Sequence, residues 1–197
     1  LKYYFRPYGL QQLGIFSKKP LSQDQINEFI QHLPKKVLFA DIYLNESQFG
    51  QIKKLPSKVL ISPQLNLKLD IGHSYEQTYQ GFNTNLKRKL KKSETNKLQL
   101  FEGEGPEALL RLFKENQGQR LELDEEFYRA FKALMFQLMH KGLTKIYTVY
   151  GGPNQLLAAA LFLEYGERSI FLFSASSEMG KELNAMAYLI NEYLIFQ

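Results

Sequence analysis

The residues best placed to do chemistry stand in the run Ser174-Ala175-Ser176-Ser177-Glu178-Met179-Gly180-Lys181. This run follows a stretch of strand formers and precedes a helical pattern, so it reads as a strand-to-helix turn. Free N–H groups at a helix start, a nearby glycine and hydroxyl donors together suit an anion, a phosphate above all. Ser174, Ser176, Ser177, Gly180 and Lys181 are the residues that would hold it. The same residues also read as a capped turn, with Ser176 or Ser177 serving the helix and Lys181 simply exposed. A second group is cationic: Lys87, Arg88, Lys89, Lys91, Lys92 and Lys97 stand against Glu94 alone. Such a helix face beside a cleft can hold an anion such as a diphosphate. Arg88 adds a bidentate fork that Lys92 and the other lysines cannot offer. The alternative for this face is a solvated helix back.

Other titratable residues carry less. His32, His73 and His140 are far apart and near element ends, so they read as caps or surface residues, and no metal site is expected. Glu122, Asp124, Glu125 and Glu126 stand at a helix start, where they complement the macrodipole. Tyr147 and Tyr150 alternate with apolar residues and read as packing, while Glu164 and Glu167 flank a hairpin turn. No general base is identifiable. The chain has no cysteine, so a disulfide framework, a thiolate nucleophile and a cysteine zinc site are excluded. Its net charge of +5 favours anionic partners. No nucleic-acid-binding motif is present, and DNA is not expected. The longest apolar runs, such as Leu156 to Leu163, fall far short of the roughly 20 residues of a membrane span. The start, Leu1-Lys2-Tyr3-Tyr4-Phe5-Arg6-Pro7, lacks the features of a signal peptide and reads as the interior of a longer protein. The lack of cysteine fits a reducing compartment, so a cytoplasmic location is expected.

These groups need elements to position them. Gly9 to Phe16 reads as a strand, and Ser22-x-x-Gln25 is a capping box opening a helix with Ile26, Phe29, Ile30 and Leu33, ended by Pro34. Val37 to Leu44 is strand-like, as are Val59 to Ser62 and the alternating Leu65, Leu67 and Leu69. Ser74-x-x-Gln77 opens a helix whose seam is Tyr75, Tyr79, Phe82, Leu86 and Leu90, with the basic residues on its back. Pro106 starts a short helix with Leu109, Leu110 and Phe113 on one face. Asp124 caps a longer one through Phe127, Phe131, Leu134, Met135 and Leu138, closed by Gly142. Strands over Lys145 to Tyr150, Leu156 to Glu164 and Ser169 to Phe173, joined by short turns, make an antiparallel meander. A final helix carries Leu183, Met186, Ala187, Ile190 and Leu194. With 197 residues and 44% hydrophobic content there is enough apolar material for a real core.

Two helices, a meander, a hydroxyl- and glycine-bearing turn and an amphipathic helix resemble the GNAT acyltransferase superfamily. The resemblance implies an α/β (α+β) fold with a mixed, largely antiparallel sheet flanked by helices, and a turn that binds acyl-CoA pyrophosphate by backbone amides. The family signature there is Gln or Arg, two residues, Gly, one residue, then Gly or Ala. Of this, Ser177-Glu178-Met179-Gly180-Lys181-Glu182 keeps the middle glycine.

Asn83-Thr84-Asn85-Leu86-Lys87-Arg88-Lys89-Leu90-Lys91-Lys92-Ser93 resembles the Asn-x-Arg-Arg-x-Leu/Ile-x-Lys-Ala helix of the Fem-type and BioF2-like tandem-GNAT branch. Gln11-Gln12-Leu13-Gly14-Ile15-Phe16 and Ala158 to Leu163 are similar to other stretches of that branch. The implied organisation is a partial GNAT-like subdomain over 1–72 and a GNAT-like domain over 73–197 that ends before its last strands. The implied activity is transfer of an acyl or aminoacyl group from acyl-CoA, acetyl-CoA included, or from aminoacyl-tRNA to an amine. No tightly bound cofactor is implied. The acceptor would be a small molecule or a peptidoglycan precursor. The alternative is a GNAT-shaped module without catalysis that binds an anionic ligand.

Overall fold

The computed structural model describes residues 2–4, 14–34, 36–49, 52 and 59–197. The chain divides into two compact units, Leu1–Leu67 and Lys68–Gln197. In the first, β1 (Lys2–Tyr4) pairs in parallel with β2 (Val37–Ala40), and α1 (Gln23–Gln31) and the one-turn α2 (Glu46–Phe49) are the other elements among the described residues. Ser22 and Gln25 make both bonds of the expected capping box at the start of α1.

The residues expected to form strands between Val59 and Leu69 do not do so; the chain there is irregular. Leu60, Leu65 and Leu67 are more than four-fifths exposed. Alternation makes a strand only where a neighbour takes up the ladder and covers one face, and none does so here among the described residues. Most of the strand expected over Gly9 to Phe16, and the Gln11-Gln12-Leu13 part of the similarity noted there, lie outside the described residues. Gly14 to Phe16 form no strand.

The second unit is built on a four-stranded antiparallel sheet in the order β3 (Gln99–Glu102), β4 (Thr144–Tyr150), β5 (Leu156–Tyr165) and β6 (Arg168–Ser176). The α/β class and the meander expected from the sequence are both present. The first strand, β3, was not anticipated, although Leu98 and Leu100 already alternate with polar residues. On one face lie α5 (Pro106–Asn116) and α6 (Glu125–His140), whose Leu109, Phe113, Phe131 and Met135 pack on Ile146, Leu161 and Phe173. Gly142, at φ 65°, ends α6 in the left-handed conformation that glycine adopts without strain. Leu134, expected on the packed face, is 44% exposed.

On the opposite face the short α7 (Glu178–Glu182) leads into α8 (Ala185–Phe196). Ala185, Leu189 and Tyr193 of α8 pack on Tyr147, Val149, Leu157 and Phe162. Full burial of a leucine such as Leu189 contributes about 1.5–3 kcal/mol. Tyr193 is stacked on Phe162, ring centroids 3.7 Å apart. Its hydroxyl lies 2.9 Å from Glu164 Oε1 and 2.6 Å from Ser169 Oγ. Burial and Glu164 push the Tyr193 phenol up to about 12, against the Ser169 hydrogen bond.

The single helix expected after Ser74 is two, α3 (Tyr75–Gln80) and α4 (Thr84–Thr95). Asn83 breaks the pattern by capping: its Oδ1 accepts the Leu86 N–H at 2.8 Å. Leu90 and Ser93 are buried where α4 packs on α8, and Tyr75 donates to Asn191 Oδ1 at 2.7 Å, tying α3 to α8. Among the described residues no helix is long and apolar enough to cross a membrane.

Candidate functional site

The sequence between Phe173 and Asn184 has two jobs, ending a strand and starting a helix, and it divides them later than expected. β6 runs through Ser176, so Ser174 and Ser176 are strand residues paired with Ala160 and Ala158. The turn is Ser177 alone. Its backbone is extended, its N–H donates to the Leu157 carbonyl at 2.9 Å, and its hydroxyl both donates to that carbonyl at 3.3 Å and accepts the Gly180 N–H at 3.0 Å. Ser177 thus ties the first turn of α7 to the start of β5.

Gly180 completes the tie. A Cβ there would stand 2.7 Å from the Leu157 carbonyl carbon and closer still to its oxygen. Only glycine lets the helix backbone sit this tightly on the strand backbone. The helix beyond the turn is not continuous: Asn184 adopts φ 57°, so Leu183 closes α7 and Ala185 begins α8.

The N–H groups of Glu178 and Met179, the first residues of α7, have no intrahelical acceptor. Glu178 itself stands at this positive end and pairs with Lys181 at 2.6 Å. Its carboxyl is held below the usual range by the Lys181 hydrogen bond and charge, and at longer range by Arg120. Lys181 is therefore engaged, not free. Arg120, in the 3-10 turn Gly118–Arg120 between α5 and α6, is a cation near the turn that the sequence reading missed.

β6 is an edge of the sheet among the described residues, so one side of its backbone takes no partner strand. Its pairing with β5 shifts register so that Phe162 opposes Phe171 while Leu161 opposes Phe173. Leu172 is the extra residue, and a bulge of this kind bends the strand and re-aims its backbone groups.

The structure brings Ser176, Ser177, Gly180 and Lys181 together, with Ser174 half-buried two residues back along β6. It does not bring Arg88 and Lys92 to them. Both are exposed on α4, with Arg88 donating to Asn85 Oδ1 at 3.1 Å. No hydrogen bond or ion pair among the described residues joins them to the turn.

Tyr147, one of the strand tyrosines, is buried with its hydroxyl 3.1 Å from Glu102 Oε2, and burial reinforced by Glu102 pushes its phenol far above the ordinary range. Tyr150 reaches Glu104 at 3.1 Å. His32 Nδ1 lies 2.8 Å from the Glu28 carbonyl and His73 3.6 Å from Asp70, both exposed, and His140 is exposed in the last turn of α6.

A sheet covered by two helices on one face, an edge strand running into a pinned helix start, and a helix on the other face agree with the comparison of the chain with known families. An acetyltransferase (GNAT) domain model matches residues 80–194. The chain belongs to the GNAT acetyltransferase family. The match begins at the end of α3 and runs into the last turn of α8, so it takes in all four strands of the antiparallel sheet and the β6–α7 turn. No curated protein matches the chain.

Proposed function

We propose that this GNAT protein is an N-acyltransferase whose acyl donor lies along the open edge of β6, with its diphosphate at the start of α7. The observation that carries this reading is the close seat of Gly180 on the Leu157 carbonyl, which fixes the Glu178 and Met179 N–H groups at the end of an edge strand. Fixed backbone donors at a helix start suit a phosphate, and Arg120 adds positive charge beside them. The Lys181–Glu178 pair would open on binding, giving Lys181 to the donor.

In the reaction the amine nitrogen forms a bond to the donor carbonyl carbon, the carbon–sulfur or carbon–oxygen bond breaks, and the amine proton leaves to a base. A main-chain N–H of β6 near the Leu172 bulge would hold the oxyanion as charge develops there.

The finer reading is a Fem-type or BioF2-like enzyme. The α4 sequence from Asn83 to Ser93 supports it, because a row of exposed cations that includes Arg88 and Lys92 suits an aminoacyl-tRNA backbone as well as CoA phosphates. Under this reading residues 1–72 are part of a first GNAT-like domain and 73–197 the second, working in the cytoplasm. The acceptor amine belongs to a small molecule or a peptidoglycan precursor.

The test is calorimetric titration with acetyl-CoA and free CoA, then with aminoacyl-tRNA. Saturable CoA binding that Gly180→Ala removes supports the acyl-CoA donor. Binding of aminoacyl-tRNA alone supports the Fem-type donor. Binding of neither leaves a GNAT-shaped module without catalysis.

A further inference from the structure

The outer surfaces of α5 and α6 carry the same spacing of residues. On α5 it is Glu107, Leu110, Arg111 and Lys114; on α6 it is Glu125, Tyr128, Arg129 and Lys132. Each series is Glu, then an apolar or aromatic residue three on, Arg four on and Lys seven on, which places all four on one helix face. The two series line one open groove of about 500 Å³.

Because the helices run antiparallel, the Glu of each series meets the Lys of the other. Glu107 pairs with Lys132 at 3.1 Å, and Glu125 pairs with Lys114. Each end of the groove is therefore closed by an internally neutral pair, and the two arginines at its middle have no carboxylate partner among the described residues. Leu110 and Tyr128, both buried, form an apolar floor, with Lys114 Nζ 5.2 Å from the Tyr128 ring centroid. Four cations against two carboxylates leave the groove two positive charges. The further electrostatic neighbour of Arg111 is the Tyr150 phenol, already bound to Glu104 outside the groove.

We propose that this groove is a binding site for a dianionic oxyanion carried on an apolar body, of the phosphate monoester class. Two guanidinium forks, one from each wall, match two negative charges and the several acceptor oxygens of a phosphate. The floor of Leu110 and Tyr128 takes the apolar part, while the paired ends keep further charge out of the middle. The site is separate from the β6–α7 turn and does not rest on the acyltransferase reading.

The experiment is an NMR titration of the full chain with phenyl phosphate, with benzyl alcohol as the neutral comparison, read at the arginine side-chain Nε–Hε signals. The expected result is saturable movement of the Arg111 and Arg129 signals by phenyl phosphate and none by benzyl alcohol. Arg111→Gln and Arg129→Gln should each weaken binding about tenfold or more, the loss of a charge-assisted hydrogen bond. Arg129→Lys, which keeps the charge and loses the fork, should fall between. Both arginines are exposed, so an unchanged melting temperature checks that the variants fold. Absence of saturation in the millimolar range, or affinity within twofold of the parent in the double Arg→Gln variant, overturns the proposal.

Discussion

The start of α7 and the face of α4 are both suited to an anion, and they are built in opposite ways. At α7 the charged side chains are spent on each other, Lys181 on Glu178, while the backbone is fixed by Ser177 and Gly180 against Leu157. On α4 the charges of Arg88, Lys89, Lys91 and Lys92 are exposed and the backbone is an ordinary helix. A fixed set of N–H groups can select the geometry of a diphosphate. An exposed row of cations raises local anion concentration without selecting among anions, and salt screens it. Under the proposed function, recognition would fall to the turn and attraction to α4.

The largest effect that would break this contrast belongs to Gly180→Ala. Overpacking of backbone on backbone costs about 1–3 kcal/mol. It should displace α7, lower the melting temperature by several degrees, and reduce donor affinity more than tenfold in calorimetry. Retained affinity would mean that the turn is not the recognition element.

Next is Tyr193→Phe, on the helix that follows the turn and supports α4 from behind. Loss of its hydroxyl from Glu164 and Ser169 should cost about 1–2 kcal/mol in urea unfolding. It also carries a pH dependence. The folded phenol titrates at about 12 and the unfolded one near 10. The folded state then binds more protons between these values, so its contribution is complete below pH 10 and is lost as the pH rises from 10 to 12. Unfolding measured across that window should show a steep fall for the parent and a shallower one for the variant, because the other raised phenols, Tyr147, Tyr75, Tyr150 and Tyr188, still contribute.

Ser177→Ala removes the cap to Gly180 and should cost about 1 kcal/mol by thermal melting. Donor affinity should fall less than in Gly180→Ala, because the glycine seat remains. The smallest effect is that of Arg88→Ala with Lys92→Ala. Stability should change by less than about 0.5 kcal/mol. Donor affinity should fall only a few-fold at low salt and be indistinguishable from the parent at high salt. A salt-independent loss would move recognition onto α4.

The sequence was legible where local chemistry and tertiary demand agree. Asp124 and Gly142 bound α6, and the short turns around Gly152 and Gly166 give the meander, because caps and tight turns are set by the residues that make them. It misled where a pattern needs a partner. Leu65, Leu67 and Leu69 alternate without forming a strand, while the equally short Leu98 to Glu102 region becomes β3 because β4 lies beside it. Asn83 and Asn184 each interrupt a helix that apolar spacing alone reads as continuous.

At the site, Ser177 and Gly180 were readable as cap and glycine. The partner that gives both their meaning, the Leu157 carbonyl, is 20 residues from Ser177 and could not be read from spacing. Arg120 was missed for the same reason, since its approach to Glu178 exists only in the folded unit.

The most direct test is to follow the backbone amides of Glu178 and Met179 by NMR while free CoA is added to the parent and to Gly180→Ala. Saturable shifts of these two amides are expected in the parent and lost in the variant, with at most small salt-sensitive changes along α4. Absence of any shift at Glu178 and Met179 while amides around Arg88 and Lys92 respond would contradict the proposed function.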